Sequence, residues 1–190
     1  MKSEKNSYSG CLAIIIMVIL IYPAFSIILG AGETTHAQLS EYQVKTAYLY
    51  NFTKFVEWPE KTTAGQSTFT IAILGRNPFG NALNALAGKP VNNRKLLVRY
   101  IKSAQEAKDC DMLFISAFER ENMRDIIASL GSLQGILTIS DAEYFLRSGG
   151  MIEFVMVDGR VRFEVNYRAA QQANLRISSH LLRLATRVIE

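Results

Sequence analysis

The sequence predicts an α/β fold: a mostly parallel sheet with helices on both faces and a C-terminal antiparallel hairpin, in a three-layer αβα arrangement. Between residues 68 and 147, short β-rich runs alternate with short helical segments, which is typical of right-handed βαβ units. Met112–Ile115 is apolar throughout, as expected for a strand that is covered on both faces. Asp158-Gly159 separates two further β-rich runs and is a strong hairpin signal, because a type I′ turn needs positive φ at both central residues.

We predict that residues 1–37 are a signal peptide. An apolar run, Cys11–Ala31, follows Lys2 and Lys5, and small residues occupy the last and third-last positions before the expected cut. The run is longer than a usual signal peptide requires, and about 20 apolar residues can span a bilayer, so a retained N-terminal membrane anchor is the alternative. In both cases residues 38–190 form a single domain outside the cytoplasm.

The composition excludes several classes of function. The chain has 21 Lys and Arg against 17 Asp and Glu, a net charge of +4, and no basic run, which argues against nucleic-acid binding. His36 and His180 have no neighbours at metal-ligand spacing, so we expect neither a metal nor a cofactor. His180 is also the one histidine of the predicted domain, and no nucleophile motif accompanies it. We therefore predict that the protein is not an enzyme; a hydrolase that uses His180 is the alternative.

The first helix is predicted over Tyr42–Trp58 and ends before Pro59, which disfavours helical geometry at the preceding residue. Lys45 lies off its apolar stripe, which consists of Val44, Tyr48, Phe52, Phe55 and Val56. One helix cannot bury its whole circumference against a sheet. Four further residues therefore form a candidate partner-binding surface, here named the first-helix patch: Tyr50, Asn51, Lys54 and Trp58. Burial of these aromatic side chains in the core is the alternative.

The middle of the chain supplies the remaining elements of the parallel sheet. Strands are predicted at Thr68–Leu74, Leu96–Ile101, Met112–Ile115 and Ile136–Ile139. Helices are predicted at Phe79–Ala87, Ala104–Lys108, Glu121–Leu130 and Asp141–Arg147. The loop Gly75–Gly80 joins a strand to a helix, where α/β proteins often bind ligands, but it matches no phosphate-binding fingerprint. We interpret it as an ordinary connection.

The hairpin is predicted from Met151–Val157 and Arg160–Asn166, and its two-residue loop fixes the register. One side, which includes Phe154 opposite Phe163, is apolar and is expected to be wholly core. Like charges face each other on the other side, where Glu153 opposes Glu164 and needs compensation. We predict a ligand-binding or contact site there, the polar hairpin cluster, formed by Glu153, Arg160, Arg162, Glu164 and Arg176. A solvated surface ladder is the alternative.

The C-terminal end is predicted to be helical. A short helix covers Tyr167–Ala173, and a final helix begins at Ser178 or Ser179 and extends to Val188. Cys110 lies at the start of a strand and is alone once the export segment with Cys11 is removed, so an internal disulfide cannot form. We expect a small buried side chain, and an intermolecular disulfide is the alternative.

Five blocks of this sequence, in order and at natural spacing, resemble one family. They are V-K-T-A-Y-L-Y-N-F-T-K-F-V-E-W-P (Val44–Pro59), I-A-I-L-G-R-N-P-F-G (Ile71–Gly80), L-A-G-K-P-V (Leu86–Val91), G-G-M-I-E-F-V-M-V-D-G-R-V-R-F-E-V-N (Gly149–Asn166) and A-N-L-R-I-S-S-H-L-L-R-L-A (Ala173–Ala185). The chain resembles the YfiR family of bacterial periplasmic proteins from Val44 to its C-terminus.

The resemblance implies an α/β fold, a periplasmic location and no known catalytic activity. It implies a repressor that binds the periplasmic sensor domain of a membrane diguanylate cyclase, lowers cyclic di-GMP and so disfavours biofilm. We expect a homodimer. Redox control attributed to family members depends on internal disulfides, which Cys110 alone cannot form. A periplasmic small-molecule binding protein without a cyclase partner, with its ligand between the polar face of the hairpin and Arg176, is the alternative.

Overall fold

The computed structural model describes residues 41–59, 65, 67–131 and 134–190. Glu41–Glu190 form one compact unit. The predicted signal peptide, residues 1–37, lies outside the described residues, so its cleavage stays a prediction. Within the described ranges, no helix has the length and hydropathy that a membrane span requires.

The described part of the chain alternates strands with short helices. Its α-helices are α1 (residues 41–55), α2 (Met123–Leu130), α3 (Tyr167–Gln172) and α4 (Ser179–Leu184). Its strands are β1 (Val56–Glu57), β2 (Thr68–Leu74), β3 (Pro90–Val91), β4 (Arg94–Ile101), β5 (Met112–Ile115), β6 (Leu137–Ser140), β7 (Ile152–Val157), β8 (Arg160–Asn166), β9 (Arg176–Ile177) and β10 (Arg187–Ile189). Turns of 3₁₀ helix cover Ala82–Leu86, Ala104–Asp109, Ala117–Asn122 and Leu146–Ser148.

The main sheet has the strand order β10–β8–β7–β6–β5–β2–β4–β3. Its neighbouring strands are parallel except in the hairpin β7–β8 and in the edge pair β3–β4. A second, two-stranded sheet pairs β1 with β9 antiparallel. The predicted α/β fold with a C-terminal hairpin is confirmed, and the main sheet is mixed because of its two antiparallel pairs.

Helical layers cover both faces of the main sheet. On one face α1 packs through the fully buried Leu49 and Phe52 against strand residues such as Phe154 and Phe163. On the other face α2 and the 3₁₀ turns after β4, β5 and β6 pack against the sheet in a second apolar cluster that includes Leu113 and Phe145, whereas the turn Ala82–Leu86 packs on the α1 side. Each such buried side chain stabilises the fold by about 1.5–3 kcal/mol relative to exposure. The two clusters confirm the three-layer arrangement.

The first helix is shorter than predicted. It ends at residue 55 instead of Trp58, because Val56–Glu57 form a strand that pairs with β9. In addition, the carbonyl of Phe55 accepts the backbone N–H of Ser178 at 2.9 Å, which ties the helix end to the start of α4. The last predicted turn is therefore used to close the small sheet.

The buried face of α1 is rotated relative to the predicted stripe. Lys45, predicted to lie off the stripe, is only 4% exposed, whereas Val44, predicted on the stripe, is 42% exposed. The prediction was wrong for these two residues because Lys45 has a buried carboxylate partner, Asp141, which offsets the cost of burying its charge.

Several predicted helices are 3₁₀ turns instead. This holds for Phe79–Ala87, Ala104–Lys108 and Asp141–Arg147, which contain 3₁₀ runs of five, six and three residues, a geometry that proteins use in short connecting pieces. In the last of them Tyr144 adopts a positive φ of 64°, which is incompatible with a continuous right-handed helix.

The predicted final helix extends to Val188, but α4 ends at Leu184. Arg187–Ile189 form β10, which pairs in parallel with β8. The backbone N–H of Thr186 donates to the carbonyl of Phe163 at 2.9 Å and begins this pairing. The chain end thus covers the β8 edge of the hairpin, whose main-chain groups would otherwise face solvent.

The hairpin has the predicted register. Glu153 lies opposite Glu164, and Asp158 and Gly159 have φ of 50° and 70°, as a type I′ turn requires. Its apolar side is not wholly core, since Met156 is 52% exposed. The reason is that β6 ends at Ser140 and pairs only with the start of β7, so the tip of the hairpin extends past the sheet.

Candidate functional site

Three residues of the first-helix patch lie on the exposed side of α1. The Nζ atom of Lys54 lies 4.6 Å from the ring centroid of Tyr50, and the Nζ atom of Lys89 lies 5.0 Å from it. The Tyr50 hydroxyl donates to the carbonyl of Pro90 at 3.1 Å and so fixes the ring over β3. Asn51, Lys54 and Lys89 are exposed. The result is an aromatic ring between two ammonium groups, which suits a partner that carries carboxylates.

Trp58, the fourth residue of the patch, anchors the small sheet to the main one. Its Nε1 donates to the backbone carbonyl of Asp111 at 2.9 Å. Its ring meets that of Phe69 edge to face, with centroids 4.9 Å apart. Trp58 is half-buried, so its side chain has a structural role, and contact with a partner stays a prediction.

A buried ion pair lies beside this anchor. The Nη1 atom of Arg94 lies 2.7 Å from Oδ1 of Asp111, and Oδ2 of Asp111 accepts the backbone N–H of Thr70 at 2.8 Å. The guanidinium lies 4.8 Å from the ring centroid of Phe69. Burial raises the pKa of Asp111, while the hydrogen bonds from Thr70 and Arg94 oppose the rise. The pair joins the starts of β2, β4 and β5.

Cys110 is buried next to this pair, and burial raises the pKa of its thiol to about 12. We expect iodoacetamide at pH 8 to leave Cys110 unmodified in the native protein and to alkylate it after unfolding in urea. The shift from the ordinary value of 9.0 lowers the thiolate fraction about a thousandfold, and the thiolate is the reactive form. Mass spectrometry of the two samples checks this. Rapid alkylation of the native protein would contradict the burial.

The polar hairpin cluster does not come together as one group. Glu153 is buried, and its carboxylate accepts the backbone N–H groups of Tyr144 at 3.2 Å and Leu146 at 3.1 Å. The carboxylate of Glu164 instead accepts hydrogen bonds from the guanidinium of Arg187. This hydrogen bonding and the negative charge of Glu164 raise the pKa of Arg187. The opposed carboxylates are thus separated by different partners, which removes the repulsion expected from their register.

The three predicted arginines lie apart from these carboxylates. Arg160 and Arg162 are exposed on β8, and within the described residues neither has a carboxylate within 4.0 Å. Arg176 lies in β9, opposite Glu57 of β1. A ligand site built from all five residues therefore stays a prediction without a common geometry.

A second buried polar group, the Asp141 cluster, lies at the carboxyl end of β6. Oδ2 of Asp141 accepts the Tyr42 hydroxyl at 2.6 Å and the Lys45 ammonium at 2.8 Å, while Oδ1 accepts the backbone N–H of Ala117 at 3.0 Å. Lys45 also lies 2.5 Å from Glu41. Burial, together with the hydrogen bond to Asp141, raises the pKa of Tyr42. One carboxylate thus joins the first turn of α1 to the segments that follow β5 and β6.

Two exposed aromatic side chains flank this cluster, and we name them with their arginines the edge surface. Phe118 is 55% exposed and Tyr144 is 61% exposed. The guanidinium carbon of Arg76 lies 3.9 Å from the ring centroid of Phe118, and that of Arg147 lies 4.9 Å from that of Tyr144. Among the described residues, neither guanidinium has a carboxylate within 4.0 Å.

The edge surface lies where α/β sheets often bind partners. The chain leaves β2 toward β4 on one side and leaves β5 toward β6 on the other, so the carboxyl ends of β2 and β5 form a topological switch point. This surface was not predicted from the sequence. Local patterns do not give the strand order that places the two segments together, although an aromatic residue follows within one turn of the end of both β5 and β6.

His180 is the residue through which the alternative hydrolase function was predicted. His180 is exposed at the start of α4, with its ring 5.1 Å from that of Phe55. Within the described ranges, no group of three His, Cys, Asp or Glu side chains is arranged to hold a metal ion. The features with organised geometry are the exposed cation–aromatic pairs and the two buried ion pairs.

The fold and its surface together define a three-layer α/β domain in which arginine side chains lie against exposed aromatic rings. The family model described as YfiR/HmsC-like matches residues 42–186. The chain therefore belongs to the YfiR/HmsC-like family, whose members are regulators associated with membrane diguanylate cyclases. No curated protein matches the sequence.

Two solved structures show weaker similarity. One is the ABC domain in complex with L-Trp from Streptococcus pneumonia, at 12% identity and a TM-score of 0.47, covering 64% of this chain and 55% of that one. The other is a conserved domain protein from Vibrio cholerae O1 biovar El Tor, at 12% identity and a TM-score of 0.47, covering 68% of this chain and 57% of that one. This chain thus spans little more than half of each structure, and neither bears on its function.

Proposed function

We propose that this protein is a periplasmic repressor, which binds the periplasmic sensor domain of a membrane diguanylate cyclase and lowers cyclic di-GMP production. Membership of the YfiR/HmsC-like family supports the class of regulator. The observation that carries the binding role is the first-helix patch, where the partly buried Tyr50 ring lies within 5.0 Å of the ammonium groups of the exposed Lys54 and Lys89. Aromatic and cationic side chains of this kind are enriched at the centres of protein interfaces.

Repression by binding requires a difference in affinity. The repressor must bind the inactive conformation of the cyclase more tightly than the active one, because equal affinity for both shifts no equilibrium. A rigid binding surface favours such discrimination. The Tyr50 hydroxyl bond to Pro90 holds the ring of the patch in place, and the Asp141 cluster holds the other end of α1. The proposal includes a homodimer, which light scattering of the purified protein checks.

The test combines a cellular and a binding measurement. Deletion of the gene, with the cyclase present, should raise cyclic di-GMP, and the exported protein should reverse the rise. Lys54→Glu should weaken binding to the purified cyclase sensor domain about tenfold or more and fail to reverse the rise, because it reverses a charge at the contact. The matched control is Lys108→Glu, an exposed lysine on the opposite face of the sheet.

Different outcomes test different parts of the proposal. An unchanged cyclic di-GMP level on deletion contradicts repression. If repression holds but Lys54→Glu binds like the wild type, the first-helix patch is not the contact. Arg147→Glu then tests the edge surface in the same assay.

A further inference from the structure

A cavity of about 280 Å³ lies between the end of α2 and one side of α3, and it shares no lining residue with either cation–aromatic surface. Its walls come from the end of α2, the start of β6, the segment before β7 and one side of α3. Ile127, Leu130, Ile136 and Met151 supply most of the apolar lining. None of the residues predicted from sequence as ligand-binding lines it.

Among the described residues, the cavity is lined by no charged side chain. Its polar side chains are two amides, Gln134 and Gln172, and one hydroxyl, Thr138. A ligand with a carboxylate or an ammonium would lose hydration there without gaining an opposite charge, which makes burial of the charged group unfavourable. The lining therefore selects uncharged molecules.

The hydroxyl of Thr138 gives the cavity one orienting group. Thr138 is 6% exposed, and its Oγ1 accepts the backbone N–H of Met151 at 3.2 Å. Within the described residues this hydroxyl donates no hydrogen bond, so its hydrogen is available to an acceptor in the cavity. A carbonyl or ether oxygen of a ligand fits this position.

The mouth of the cavity is held by hydrogen bonds. The Gln134 side chain donates to the carbonyl of Gln172 at 3.3 Å and accepts from the Asn174 amide. The backbone N–H of Gly135 donates to the carbonyl of Ala173 at 2.8 Å. Gln134 and Gly135 are thereby attached to the end of α3, and the cavity is formed before any ligand binds, as is usual for small-molecule sites.

We propose that this cavity binds a neutral, mostly apolar molecule of about two fused rings with one hydrogen-bond acceptor, which points at Thr138. An engineered apolar cavity of about 150 Å³ holds benzene, so nearly twice that volume holds a two-ring compound. The site stands independently of the proposed cyclase repression, because no residue of the first-helix patch or of the edge surface lines the cavity.

Three probes that share one ring system test the chemistry: methyl 2-naphthoate, naphthalene and 2-naphthoate. The neutral ester should raise the melting temperature of the purified protein by mass action. Naphthalene should bind about fivefold more weakly, because it lacks the acceptor for Thr138. The 2-naphthoate anion should give no shift at pH 7. Equal shifts by the ester and the anion would overturn the proposal, and so would no shift by any of the three.

Two variants locate the site. Ala169→Leu fills the cavity from α3 and should abolish the shift by the ester, whereas Gln171→Leu, an exposed change on the same helix, should preserve it. Thr138→Val keeps the shape of the side chain and should reduce binding of the ester to the level of naphthalene. This second variant keeps the test decisive if Ala169→Leu does not fold. Wild-type affinity in both cavity variants would place the binding elsewhere and overturn the assignment.

Discussion

Replacement of Asp111 by alanine is expected to cost about 3–5 kcal/mol of unfolding free energy, a large part of the stability of a single domain. The variant removes the carboxylate that balances the charge of Arg94, and both side chains are more than nine-tenths buried. It also removes the acceptor for the backbone N–H of Thr70, a residue of β2. Urea denaturation followed by circular dichroism measures the loss as a lower midpoint at unchanged slope.

Two further variants distinguish loss of the Arg94–Asp111 ion pair from a change in local packing. Asp109→Ala removes an exposed carboxylate two residues away and should change the stability by less than about 0.5 kcal/mol. The double variant Arg94→Met with Asp111→Leu should recover much of the loss, because an apolar pair of similar volume leaves no charge in the core. A loss in Asp111→Ala no larger than in Asp109→Ala would show that the pair does not support the fold.

Local sequence chemistry was sufficient for the hairpin. Asp158-Gly159 admits the positive φ values of a type I′ turn, and the two-residue loop then fixes every cross-strand pair, including Glu153 with Glu164. The alternation of strands and helices likewise predicted the α/β class. These features depend on neighbours in the chain, which sequence patterns report directly.

The environment of Lys45 could not be predicted in the same way. Its partner Asp141 is 96 residues away, and hydropathy assigns a lysine to the surface unless a distant carboxylate is known. The final strand was missed for a related reason. Arg187–Ile189 pair with β8, and a helical pattern in a short segment does not reveal that a sheet edge lies beside it.

The candidate surfaces also differ in whether local sequence patterns were sufficient to predict them. The first-helix patch was predicted because exposure on one side of a helix follows from its period, and the structure adds Lys89 from another element. The edge surface needed the strand order, since Phe118 and Tyr144 are 26 residues apart and meet at Asp141 through β5 and β6. Glu153 was recognised as unusual from its register, but its role in holding the backbone of Tyr144 depends on a turn that was predicted as a helix.

Replacement of Asp141 by alanine is the second large effect, with an expected loss of about 3 kcal/mol of unfolding free energy. This is the lower end of the range for breaking a buried pair, because Glu41 remains beside Lys45. The hydroxyl of Tyr42 and the backbone N–H of Ala117 lose their acceptor at the same time. Denaturation measures the loss, and hydrogen exchange should show faster opening of the first turn of α1 than of β5.

Matched variants assign this loss to the Lys45 charge. Glu143→Ala removes an exposed carboxylate in the same segment and should be neutral within about 0.5 kcal/mol. In the Asp141→Ala background, Lys45→Met should restore stability, because it removes the buried ammonium that the first change left without Asp141. Additive losses in the double variant would contradict this coupling. Because the same carboxylate positions α1 and Phe118, Asp141→Ala should also weaken binding of any partner that uses the edge surface, whereas Glu143→Ala should not.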